Sequence, residues 1–163
     1  MSLRLTLKHR LHEAWHGSPW YGDSSDTILK GITADEAARR IAPDTHSIWQ
    51  IVLHMTAWTE TTAARVRGIG SKGPDRGDWP AVGPTTAEGW TAALTDLETV
   101  RNALLADLDA AHEEDLHLHV KKHDPPFADT GITRGATVVG LIEHDAYHLG
   151  QVALLKRVLR SAP

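Results

Sequence analysis

Residues 137–160 read TVVGLIEHDAYHLGQVALLKRVLR, and this stretch decides the fold. Its apolar residues recur three or four positions apart, which is the spacing of one face of an amphipathic α-helix. Lysine and arginine lie near its end, where cations suit the negative end of the helix dipole. The pattern predicts a long last helix whose apolar face is formed by Leu141, Val152, Leu155 and Leu159.

Three further stretches show the same spacing, and each is bounded by helix start or stop signals. Two of the three stretches begin with the capping-box pattern, which is serine or threonine followed three residues later by glutamine or glutamate. Glycine follows the end of two of the stretches. These stretches cover residues 3–16, 48–66 and 85–111. Shorter helices are predicted near residues 25–30 and from Thr33 towards Pro43.

The segments between these stretches carry the signals of loops. Residues 68–84 hold five glycines and three prolines, and residues 112–131 form a polar connection that contains several histidines. No segment shows the sustained two-residue alternation of a half-buried strand. Four long helices joined by two long loops make an all-α four-helix bundle. A chain of 163 residues fits one domain, so we expect a single domain over residues 1–163.

Composition excludes several classes of protein. The chain has no cysteine, which excludes a disulfide framework, a cysteine-ligated zinc site and a cysteine nucleophile. The formal net charge is −4, and no lysine or arginine cluster exceeds a pair such as Lys121 and Lys122, so we expect no nucleic-acid partner. The N-terminus lacks the apolar core of a signal peptide, and no apolar run reaches the length of a membrane span. We therefore expect a cytoplasmic protein with no membrane partner.

Eleven histidines in a cysteine-free chain direct attention to imidazole as a ligand. His144 and His148 lie four residues apart, so they share one helical face and can chelate one ion. The helical wheel turns both towards the core, where an imidazole costs free energy unless its nitrogens have partners. A hydrogen-bonded pair in the core is an alternative with the same spacing. His54 lies beside the apolar face of residues 48–66; it is a candidate third ligand, although by itself it fits a rim position.

Two other groups of histidines are weaker candidates for a metal site. His12 and His16 complete an H-E-x-x-H pattern, as in zincin proteases, but the helical wheel places both opposite the leucines and therefore in solvent. His117, His119 and His123 share a side only if their segment is extended. In a polar connection, solvated histidines are the commoner finding, and we expect these three to be of that kind.

Two runs of the sequence, HSIWQIVLHMTAW at 46–58 and EHDAYHLGQV at 143–152, carry a resemblance to a known family. Each resembles a metal-binding segment of the DinB-like or YfiT-like proteins, which include bacillithiol S-transferases and are related to mycothiol-dependent maleylpyruvate isomerases. The resemblance covers most of the chain and implies an up-down-down-up four-helix bundle, often a homodimer. It also implies Ni or Zn held by one histidine of the second long helix and two of the last, which are His54, His144 and His148 here.

Three imidazoles leave the coordination sphere of a metal incomplete, as in catalytic rather than structural sites. We expect the ion to activate a low-molecular-weight thiol cosubstrate for attack on an electrophilic small molecule, which would make the protein a thiol S-transferase. Activation of water instead would make it a hydrolase, with Asp145 as a proton acceptor or as a group that orients a ligand. The third alternative binds a metal or ligand without turnover. We expect Trp49, Trp58 and Tyr147 to line an apolar pocket.

Overall fold

The protein is described by a computed structural model that covers residues 2–70, 73–122 and 129–161. Most of these residues are helical, and the predicted all-α class is confirmed. The helices are α1 (Leu3–Trp15), α2 (Ser25–Leu29), α3 (Ala34–Ala38), α4 (Ile48–Val66), α5 (Ala87–Ala110) and α6 (Arg134–Ser161). Between α5 and α6 lie a 3₁₀ turn (Glu113–His117) and the antiparallel strands β1 (His119–Lys121) and β2 (Asp129–Thr133).

The helix boundaries follow from the local signals that the sequence carries. The Ser47 hydroxyl accepts a hydrogen bond from the Gln50 backbone N–H, and the Gln50 side chain accepts one from the Ser47 N–H. Thr33 and Glu36 form the same capping box before α3. The chain leaves α4 at Gly68, whose φ of +84° lies in the left-handed region that glycine adopts without strain.

Two buried apolar clusters determine how the four long helices run. One cluster joins the beginnings of α4 and α5 to the end of α6, and the other joins α1 and the ends of α4 and α5 to the beginning of α6. Helices α4 and α5 therefore run in the same direction, and α6 runs against them. Leu3 lies against Gly135 and Trp15 bonds to Asp145, so α1 runs with α6. This is the up-down-down-up order that the resemblance implies.

The predicted apolar faces are the buried ones. All four residues predicted for the apolar face of α6 are buried. The apolar face predicted for residues 48–66, which form α4, is buried as well. Between the two apolar clusters, the middle of the bundle contains buried polar side chains, namely His54, Arg101, Asp145 and His148, which we call the polar layer. Among the described residues, no helix is both long enough and apolar enough to cross a membrane.

The segment between α5 and α6 differs from the predicted connection without regular structure. Strands β1 and β2 pair over a few residues, and β2 continues directly into α6, which begins at Arg134, three residues earlier than expected. Val120 is the one buried residue of β1, and β2 is exposed along nearly its whole length. A hairpin without a buried face leaves no alternating pattern in the sequence, so periodicity could not predict it.

Two neighbouring leucines of α6 test the assignment of its faces. Leu155 is 7 % exposed and Leu154 is 61 % exposed. We expect Leu155→Ala to lower the free energy of unfolding by about 2–5 kcal/mol, because it leaves a cavity in the core. The matched change Leu154→Ala should cost less than about 0.5 kcal/mol. Urea unfolding followed by circular dichroism measures both, and equal losses would contradict the assignment.

Candidate metal centre

Three histidines from two helices meet in the polar layer. His54 lies on α4, and His144 and His148 lie on α6; one ring nitrogen from each lies within 4.8 Å of the others. Within the described ranges, these three side chains are the one group of three or more histidines and acids close enough to share a metal ion. His54 is 4 % exposed and His148 is 5 % exposed, whereas His144 is half-buried. We call these residues the histidine cluster.

Helix geometry and helix packing each contribute to the cluster. His144 and His148 are about one turn apart on α6, and their ring centroids are 4.4 Å apart. The ring of His54 reaches them from α4, with its centroid 4.9 Å from that of His144 and 4.7 Å from that of His148. The third imidazole is therefore supplied by the packing of α4 against α6.

Two of the imidazoles are held by their outer nitrogen, Nδ1. Nδ1 of His54 donates to the backbone oxygen of Asp78 at 2.5 Å, and Nδ1 of His148 donates to Oε1 of Gln151 at 2.7 Å. Both partners are carbonyl oxygens, which can only accept, so in the neutral rings the proton lies on Nδ1 and the lone pair on Nε2. Two lone pairs therefore face the inside of the cluster.

The third ring, His144, distinguishes a metal site from a hydrogen-bonded pair. Its Nε2 lies 2.9 Å from Nε2 of His54, and a hydrogen bond there would leave Nδ1 of a neutral His144 as an acceptor. That Nδ1 lies 3.7 Å from Oδ1 of Asp145, and both atoms are buried without another hydrogen-bond partner. That arrangement leaves two acceptors facing each other, whereas a proton on Nδ1 of His144 leaves two Nε2 lone pairs facing each other at 2.9 Å, so no position of the single proton satisfies the ring. A divalent ion satisfies all three lone pairs, whereas a proton satisfies two.

Asp145 lies behind the histidine cluster and has no exposed surface. Its Oδ2 accepts a hydrogen bond from Nε1 of Trp15 at 3.0 Å. The guanidinium of Arg101 lies over the ring of Trp15, with Cζ 5.0 Å from the indole centroid. Burial lowers the pKa of Arg101, and the charge of Asp145 opposes that change. This geometry suits a carboxylate that orients His144 better than one that accepts a proton from a bound molecule.

Electrostatics favour neutral imidazoles in the cluster. Burial lowers the pKa of His54 and of His148 below the ordinary value of 6.5, and the neighbouring His144 lowers both further. The hydrogen bonds to Asp78 and Gln151 act in the opposite direction but do not reverse the shift. At pH 7 both rings are therefore unprotonated at Nε2 and available as ligands.

The loop that follows α4 covers one side of the cluster. The Trp79 indole stacks on His54, with the ring centroids 4.0 Å apart and the planes 10° apart. Its other stacking partner is His46, at 3.5 Å. The Asp78 carboxylate accepts a hydrogen bond from Nε1 of Trp58 at 2.8 Å and lies 3.4 Å from Nδ1 of His54. This segment therefore shields His54 and fixes the orientation of its ring.

The sequence analysis did not identify Asp78, Trp79 and Gln151 as site residues. Trp79 could have been found from the sequence, because it is a large aromatic residue in a segment rich in glycine and proline. A tryptophan in such a loop commonly packs against the surface of a neighbouring element. Gln151 lies three residues after His148, a spacing that places it beside the imidazole on a helix. Nothing in the sequence indicated that the backbone oxygen of Asp78 would bond to His54.

A cavity of about 380 Å³ opens beside the histidine cluster, a size that suits a small molecule. His54 and His144 lie on its wall, together with Trp58, which confirms the prediction for that tryptophan. The prediction was wrong for the other two aromatic residues. Trp49 is buried in the core against Trp90, and Tyr147 is 66 % exposed on the outer side of α6.

His12 and His16 lie away from the cluster. His12 is exposed, as predicted. His16 is partly buried, and its Nδ1 lies 2.8 Å from Oδ2 of Asp26, so the prediction of full exposure was wrong for this residue. The reason is that the short helix α2 packs against α1. The H-E-x-x-H pattern therefore places no metal group among the residues that the structure describes.

The histidines of the segment between α5 and α6 face solvent where they are described. His117 and His119 are exposed, and Nδ1 of His119 lies 2.7 Å from Oδ2 of Asp129 across the hairpin. His123 lies outside the described residues. His117 and His119 belong to no metal group of the described part of the chain.

One of three comparisons with known proteins identifies a family for the chain. A family model for the DinB superfamily matches residues 22–152, which is about four fifths of the chain. The matched span includes all three members of the cluster. No curated protein and no solved structure matches the chain. On the extent of the family match, the chain belongs to the DinB superfamily.

Proposed function

We propose that the protein is a metal-dependent enzyme that holds one divalent ion, Zn²⁺ or Ni²⁺, on the histidine cluster. The observation that carries the proposal is the convergence of one ring nitrogen from each of three histidines, two of them buried, beside an apolar cavity. Imidazole donors suit both metals. Nitrogens bound at about 2.0–2.1 Å in a tetrahedral site are roughly 3.3 Å apart. In the cluster, Nε2 of His54 and Nε2 of His144 are 2.9 Å apart, and the ligand nitrogens of all three rings lie within 4.8 Å of one another.

The proposed reaction is the transfer of a low-molecular-weight thiol to an electrophilic small molecule. When bound, a divalent ion with three imidazole ligands offers a free coordination position and lowers the pKa of a thiol held there. The chain has no cysteine, so the sulfur must come from a cosubstrate. The cavity is bounded largely by apolar surface, which supports a reaction in which water is kept from the electrophile.

The residues around the cluster orient and shield it. Gln151 holds the ring of His148 by a hydrogen bond to its outer nitrogen, and the Asp145 carboxylate lies 3.7 Å from the outer nitrogen of His144. Such partners raise metal affinity by fixing the ligand geometry. Among the described residues, Asp78 is the one acid on the cavity wall. We therefore propose Asp78, rather than Asp145, as the proton acceptor for a molecule in the cavity.

Metal content tests the first part of the proposal. We expect one divalent ion per chain in the wild-type protein and none in His148→Ala, measured by elemental analysis after dialysis. The helical circular dichroism of the variant should persist, because the two apolar clusters supply most of the stability. His12→Ala is the matched control, since it removes an exposed histidine. Full metal content in His148→Ala, or loss of metal in the control, would contradict the assignment.

The stability of the metal-free protein should depend on pH with a defined sign. The pKa values of His54 and His148 are lowered by burial, so below pH 6.5 the unfolded chain binds more protons than the folded chain. The free energy of unfolding therefore falls as the pH falls below 6.5. The stabilising contribution of the two neutral imidazoles is fully present above that pH. Urea unfolding at pH 7.5 and 5.5 measures the loss, which should shrink in His54→Gln. An equal loss in both proteins would argue against neutral, buried rings.

Activity tests the proposed reaction. The metal-loaded protein should consume a thiol in the presence of an electrophile such as a chloronitrobenzene, with bacillithiol, mycothiol and glutathione each tried. The rate should vanish on removal of the metal and in His144→Ala, because either change removes the ion from the cavity. The control His12→Ala should keep the wild-type rate. Thiol consumption followed by absorbance is the measurement.

Two other results would replace the transferase proposal. Cleavage of an ester or amide with the same dependence on His144, and without consumption of thiol, would show a hydrolase. Metal binding without turnover in either assay would show a protein that binds a metal or ligand only.

A further inference from the structure

Arg65 lines the cavity without an acidic partner among the described residues. It lies on α4 eleven residues after His54, about three turns along nearly the same face. Its guanidinium lies over Trp58, with Cζ 5.6 Å from the ring centroid, and its Nε is buried without a hydrogen-bond acceptor. The Trp58 ring lies 6.0 Å from that of His144, so these two contacts place the guanidinium within about 12 Å of His144.

Arg65 differs from two other arginines of the same region of the chain. Arg67, two residues further along, pairs with Asp107, and Arg76 pairs with Asp96, all on the surface. Burial lowers the pKa of Arg65, with no carboxylate acting against it, but an arginine stays protonated at neutral pH. A half-buried cation that faces an apolar cavity is costly unless an anion meets it. A molecule in the cavity can supply that anion.

The cavity is also polarised along its length. Asp78 lies beside His54, at the end formed by the histidine cluster, and Arg65 lies further along α4. The surfaces of Trp58 and Leu141 contribute apolar wall to the same cavity. An anionic group is repelled by Asp78 and attracted by Arg65, so a molecule with one such group can bind in one direction only.

We propose that Arg65 binds a carboxylate of the substrate or cosubstrate and directs the reacting end of that molecule towards the histidine cluster. The guanidinium offers paired N–H donors that match the two oxygens of a carboxylate. The apolar part of the molecule lies along Trp58. The reaction part of this inference rests on the proposed function, whereas the binding of the carboxylate requires no metal.

Binding to the metal-free protein tests the inference and removes the ion as a competing carboxylate ligand. The probes are phenylacetate, 3-phenylpropionate and 4-phenylbutyrate, each compared with its neutral amide by calorimetry. We expect at least one acid to bind about tenfold or more tightly than its amide, as a charge-assisted hydrogen bond predicts. Arg65→Gln should abolish that preference, Arg65→Lys should keep part of it, and the control Arg67→Gln should leave it unchanged.

Two results would overturn the inference. One is the absence of an acid preference for all three probes in the wild-type protein, a comparison that needs no variant and so does not depend on the folding of Arg65→Gln. The other is an unchanged preference in a folded Arg65→Gln, as judged by circular dichroism. Metal content and thiol consumption are measured separately, so failure of the proposed function and failure of carboxylate binding are distinguishable.

The carboxylate can belong to the thiol or to the electrophile, and competition assigns it. N-acetylcysteine and N-acetylcysteamine differ by one carboxylate, and each is tested for displacement of the bound aromatic acid from the metal-free protein. Displacement by the first alone assigns the carboxylate to the thiol. If neither thiol displaces the aromatic acid, the carboxylate belongs to the electrophile. Displacement by N-acetylcysteine alone and displacement by neither thiol are each consistent with recognition by Arg65. Equal displacement by both thiols would contradict recognition of a carboxylate.

Discussion

The site depends on where the nitrogens of three imidazoles find partners inside an apolar bundle. A buried nitrogen without a partner costs free energy, and each ring has two of them. The outer nitrogens face the backbone of Asp78, the carboxylate of Asp145 and the amide of Gln151. The inner nitrogens then face one another, and three lone pairs in one place favour a cation. The contacts of the outer nitrogens therefore leave one nitrogen of each ring in a group that could hold a metal ion.

The bundle can accommodate this polar layer because its apolar packing is divided between the two ends. One cluster lies on either side of the layer, so removal of a polar contact leaves both clusters in place. Each long helix adds one or more polar side chains to the layer or to its contacts, with Trp15 from α1 and Arg101 from α5. Asp145 links these helices to the histidine cluster. The orientation of His144 is thus coupled to the packing of α1, far from it in the sequence.

The irregular segments give the cavity its character. The loop after α4 places Asp78 on its wall and Trp79 over His54, and Ile132 of β2 adds to its lining. Rigid helices hold the histidine cluster, while the segments between them shape the space in front of it. In many proteins, loops shape a binding site whose main residues are held by a rigid scaffold. The Asp78 and Arg65 ends make the cavity electrostatically asymmetric, which suits a small molecule that binds in one orientation.

The sequence by itself determined the helices, their buried faces, the capping boxes and the pairing of His144 with His148 on one face. These features depend on residues within a few positions of one another, so periodicity and local hydrogen bonding are enough to predict them. The tertiary structure decided that His54 is a buried member of the cluster rather than a rim residue. It also decided that Asp145 faces Trp15, 130 positions away in the sequence, and that Asp78 bonds to His54 across 24. Such contacts exist only once helices and loops have packed, and no local pattern encodes them.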